Sequence, residues 1–177
     1  MRYFDLLERG AKLLLAQDAM GEVVLTLLVE AQPKKGVAAI VDKAIRLRRQ
    51  RKFAEAVGLL AFLAAARHID AEGRYQLALS RLLFDAAQKR DADEAPAGDA
   101  TMGYFALLVR EGFPVLDRLK RESMVAPDEL LRVGEHFTEA VGDERRFGAE
   151  LLHHVADKHG RRRAGEEARS RLRAEGL

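Results

Sequence analysis

The sequence predicts an all-α fold: antiparallel helix pairs stacked as a short α-solenoid or an irregular helical bundle of about 8–10 helices. Three observations predict it. Helix-forming Ala, Leu, Arg and Glu dominate the 177 residues. Apolar residues recur at spacings of three and four through most of the chain. The only four prolines, Pro33, Pro96, Pro114 and Pro127, all fall between periodic segments.

Residues 3–20 read as a first helix, with Leu6, Leu7, Leu13, Leu14 and Ala16 on a wide apolar stripe. Gly21 reads as the break before a second helix, GEVVLTLLVEA, apolar nearly all round. Residues 32–36, QPKKG, read as a loop, because Pro33 and Gly36 are breakers. A helix over 37–50 follows, with Ile40, Val41, Ala44, Ile45 and Leu47 on its apolar face. A tight turn at 50–52 leads into RKFAEAVGLLAFLAAARHID, read as one buried helix, and 71–90 reads as a long helix. Residues 91–99, DADEAPAGD, read as an acidic linker. Beyond it, 101–111 is helical, and Pro114 and Pro127 each open a helix, since proline in the first turn forfeits no hydrogen bond. Gly142 ends the Pro127 helix; 143–158 and 162–174 are the last two. The chain thus reads as one helical domain, 1–177, divisible into 1–90 and 100–177 around the linker.

Composition narrows the chemistry. With no cysteine there is no disulfide framework, thiolate nucleophile or Cys-based zinc site, which suits a cytoplasmic protein. No apolar run approaches the roughly 20 residues of a membrane span, so no membrane partner is expected. Arg outnumbers Lys 22 to 8, a bias that suggests a GC-rich bacterial genome. The phosphate-cradling and nucleophile-elbow motifs are absent, as is HExxH. His68, His136, His153, His154 and His159 would need a fold that converges three of them to hold a metal. Neither a catalytic residue nor a cofactor or metal is expected. Lys158 to Leu177 holds seven basic and three acidic residues, with Arg161, Arg162, Arg163, Arg169 and Arg173 forming a basic patch. Such a patch either solvates a capping helix or contacts phosphate backbone.

Residues 37–70 carry a more specific pattern. Ile40, Ala44 and Leu47 mark one helix, and Phe53, Ala56, Leu60 and Leu63 the next. Ala44 and Ala56 are small where two antiparallel helices must approach, and Phe53 is aromatic at the turn. This 34-residue pair resembles the tetratricopeptide repeat. It departs from that family at His68, where Pro is usual, and at Lys43, where an apolar residue is usual. Residues 128–160 match more weakly: Val133, Gly134 and Phe137 imitate the first helix and Gly142-Asp143 the turn, with Phe147 near the expected small position. Ala164, Ala168 and Leu172 suit a capping helix.

The resemblance implies a protein–protein interaction module, an adaptor, scaffold or regulatory subunit. Its groove would be lined by Ala38, Val41, Ile45 and Arg48, with apolar anchors surrounded by Arg. Either a partner helix or the chain's own N-terminal helices would fill that groove, and a homodimer is compatible with both. The alternative is a nucleic-acid-associated protein using the Arg-rich C-terminal helix.

Overall fold

A computed structural model describes residues 2–91 and 99–177; the expected acidic linker lies almost wholly outside them. Among the described residues there are ten helices and no strand. They are α1 (Tyr3–Leu15), α2 (Ala19–Ala31), α3 (Pro33–Arg49), α4 (Phe53–Ala65), α5 (Ala71–Asp91), α6 (Asp99–Arg110), α7 (Val115–Arg121), α8 (Pro127–Thr138), α9 (Gly142–Lys158) and α10 (Arg163–Glu175). The chain divides into two compact units, 1–85 and 86–177.

In the first unit, α1 pairs with α2 and α3 with α4, and α1 and α2 both pack on α3. Leu25, Val29, Ala44, Ala56, Leu59 and Leu60 are fully buried at these seams. Each buried Leu contributes about 2 kcal/mol of transfer free energy. The break between α1 and α2 falls at Ala16–Asp18, four residues before the glycine that was expected to make it. Gln17 turns the chain with a φ of 59°. Its N–H reaches Leu14 O, and Asp18 N–H reaches Leu13 O, satisfying the carbonyls left over at the end of α1. Asp18 then caps α2 by accepting from Met20 N at 2.9 Å. Gly21 serves another purpose: a Cβ there would stand 2.1 Å from Leu14 N, so only glycine lets the hairpin close.

The expected loop at 32–36 is helical. Pro33 occupies the first turn of α3, where its missing N–H costs nothing. Gly36 lies within α3, against Val29 and the Tyr3 hydroxyl. The turn into α4 repeats the device used after α1, with Arg51 at φ 62° and Lys52 N–H on Leu47 O. Helix α4 stops at Ala65, short of the expected Asp70, because Arg67 at φ 57° ends it the same way. Lys43, out of place for the resembled repeat, pairs with Glu8 on α1 at 2.6 Å. That ammonium holds the Glu8 carboxyl below its usual range.

In the second unit, α8, α9 and α10 pack on one another, with α6 and α7 against α9. Gly148 of α9 takes the small position expected near Phe147 and faces Gly134 of α8. Phe147, one residue earlier, instead packs edge-on against Phe137, ring centroids 5.0 Å apart. Ala164, Ala168 and Leu172 are the buried stripe of α10.

Candidate functional site

Val37, Ala38 and Val41 lie one to four residues apart on α3 and so share one face. They floor an open hollow of about 540 Å³ in the first unit. Pro33 and Lys34 close one end, and Asp42 stands at the other side of the floor. The facing wall is His68, Asp70 and Glu72, from the α4–α5 connection and the first turn of α5. Hydrogen bonds fix that wall at both ends. His68 N–H bonds Leu63 O at 2.9 Å, and Asp70 Oδ1 accepts from Gly73 N at 2.7 Å. Three carboxylates and one ammonium ring an apolar floor, so the hollow has a negative border.

Of the four residues expected to line a groove, the structure brings two together here. Ala38 is exposed and Val41, at 7% exposure, forms the floor. Ile45 is half-buried one turn on and does not line the hollow. Arg48 is 5% exposed and donates through Nη1 to the Gln76 Oε1 of α5. Gln76 in turn donates to Glu72 Oε1 at 2.7 Å, so Arg48 serves the interior. The expected Arg border is therefore replaced by carboxylates. Helices α1 and α2 meet α3 at Lys43 and Gly36 and leave the hollow open. Sequence reasoning missed Asp42, Asp70 and Glu72; their only signal was His68, flagged as a departure from the resembled repeat.

Two of the five residues of the basic patch are engaged within the fold. Arg163 pairs with Glu167 at 2.6 Å. Arg169 donates to Gly160 O at 2.8 Å and Ala156 O at 3.4 Å, capping α9. Arg161, Arg162 and Arg173 are exposed. Arg162 and Arg163 share a hollow of about 470 Å³ with Asp128 and Glu167, whose charges offset theirs.

His153 and His154 border a hollow of about 480 Å³ with Lys120, Glu150, Asp157 and Lys158. His136 stacks edge-on against Phe137. Among the described residues no group of three or more His, Asp or Glu is placed to hold a metal ion. Nor is any helix long and apolar enough to cross a membrane among them.

Burial, aided by Lys158, Lys120 and His159, pushes the His154 imidazole below its ordinary range, and Asp157 opposes this. Burial does the same to His159, aided by Arg162 and Lys158. The unfolded chain takes up these protons near pH about 6.5, the folded chain only lower. Stability is therefore full above that value and is lost as pH falls below it. Urea midpoints are expected to fall between about pH 7.5 and 5.5, and a His154→Asn/His159→Asn variant to flatten that slope. An unchanged slope in the variant would contradict the assignment.

Comparison of the chain with family models, curated proteins and solved structures yields no match.

Proposed function

We propose that the chain is a protein-interaction module of tetratricopeptide-like type, and that its partner seats in the α3 hollow. The observation that carries this reading is the open apolar floor of Val37, Ala38 and Val41 between capped, carboxylate-bearing walls. An apolar floor with a few fixed polar groups at its border is how binding clefts combine affinity with orientation. The negative border favours a partner segment with an apolar anchor beside Lys or Arg. Work of this kind suits an adaptor, scaffold or regulatory subunit in a bacterial cytoplasm.

Ala38 is exposed on a helix, so Ala38→Arg fills the hollow at a stability cost within about 0.5 kcal/mol. A protein captured from host extract by the wild type is expected to be lost with this variant while the thermal midpoint holds. Capture of the same proteins by both chains would overturn the reading. Arg161, Arg162 and Arg173, exposed in the second unit, favour the nucleic-acid alternative. That reading requires salt-sensitive binding to duplex DNA or RNA that Arg161→Ala/Arg162→Ala/Arg173→Ala abolishes.

A further inference from the structure

The α1/α2 hairpin carries a second surface, distinct from the hollow. Helix α1 turns Glu8 toward Lys43 of α3, and Leu15 toward Gly58 of α4. Helix α2 turns Val29 toward Gly36 of α3. The opposite side of the hairpin faces away from α3 and α4. There α2 exposes Met20 at 56%, Val23 at 50% and Leu27 at 62%. At about 100° per residue these three share one sector of α2. They adjoin Val24, which lies against α1 at Gly10. From α1, Leu6 and Leu13, seven apart and half-buried, continue the apolar surface.

Its two edges carry opposite charge. Beyond Leu6 and Leu13 lie Arg2 and Arg9, both exposed; beyond the α2 sector lies Glu30, exposed. No basic residue occurs between Lys12 and Lys34, so the α2 edge is wholly acidic. We infer that this face binds the same face of a second copy, α1 of each chain lying over α2 of the other. A two-fold axis parallel to the helices keeps every residue at its own height while exchanging the edges. Tyr3 bonds Leu28 O at 2.7 Å, which sets Arg2 level with the end of α2 that carries Glu30. Arg2 of one chain then meets Glu30 of the other, twice. Stacking α1 on α1 instead would set Arg against Arg, which the charges disfavour. Two 13-residue helices, each about 20 Å long, offer roughly 400 Å² per copy. This is below the ~800 Å² per partner of a standard interface, so the dimer dissociates on dilution.

Sedimentation equilibrium from about 1 to about 200 µM tests it. The wild type is expected to rise from 19.7 kDa toward twice that mass. Leu27→Asp, at an exposed position, is expected to stay monomeric with an unchanged thermal midpoint. Glu30→Lys and Arg2→Glu are each expected to weaken self-association several-fold, and their mixture to restore it as a heterodimer. A wild type that stays monomeric overturns the proposal. So does a Leu27→Asp chain that still dimerises, or a mixture of the charge variants that does not.

Discussion

Gly148→Ala is expected to destabilise the α8/α9 pair by about 2 kcal/mol, whereas Gly103→Ala is expected to stabilise α6 by about 0.5–1 kcal/mol. The substitution is identical and both sites are helical, so helix propensity favours Ala at each. Space separates them. A Cβ on Gly148 would meet Gly134 O, Phe137 C and Phe137 Cβ, all at 2.8 Å. Two of these are backbone atoms, so no rotamer change makes room, and the helices must part. Parting them loosens Phe137 and Phe147, both buried in the same seam. A Cβ on Gly103 meets nothing within 4 Å. Hydrogen exchange on α8 and α9 reads the first effect, and the thermal midpoint reads both. Equal effects at the two sites would mean that α8 and α9 do not cross where described.

Arg48→Ala is expected to cost about 3 kcal/mol in the first unit, and Arg48→Met roughly half as much. The guanidinium is buried and donates to Gln76, itself only 4% exposed. Truncation leaves that amide oxygen without its charged donor and opens a cavity beside α5. Methionine keeps most of the apolar stem and so loses mainly the hydrogen bond. Urea midpoints measure the difference. A loss below about 0.5 kcal/mol for Arg48→Ala would place the side chain in solvent after all.

Arg48 also shows where the sequence is hard to read. Its position on α3 places it in line with Ala38, Val41 and Ile45, and helical spacing alone makes all four equivalent. What separates them is how α5 lies over the end of α3, which is tertiary information. The helices themselves were legible, because period, proline position and caps are local. The turn at 50–52 and the helices opened by Pro114 and Pro127 all stand where those signals put them. The errors share one cause. A glycine or proline in this chain often marks a close helix approach or a first turn, and the chain reverses at ordinary residues. Gln17, Arg51 and Arg67 adopt φ near 60°, a strain of about 1 kcal/mol each that burial of the flanking helices offsets. Nothing in a Gln or Arg announces that conformation. The carboxylate border of the hollow was invisible for a related reason. Asp42, Asp70 and Glu72 come from α3, a connection and α5, and only the fold brings them to one rim.

The chain contains no cysteine, so a single introduced thiol reports on one place. The most direct test of the α3 hollow is the labelling rate of Ala38→Cys, compared with Val141→Cys at the extended residue before α9, which is 83% exposed. In the free protein both thiols are expected to react readily. With the protein captured by the wild type present in excess, the Ala38→Cys rate is expected to fall at least about tenfold, as a bound state with matching protection requires, while the Val141→Cys rate holds. Unchanged labelling of Ala38→Cys in that complex would contradict the assignment of the hollow as the partner's seat.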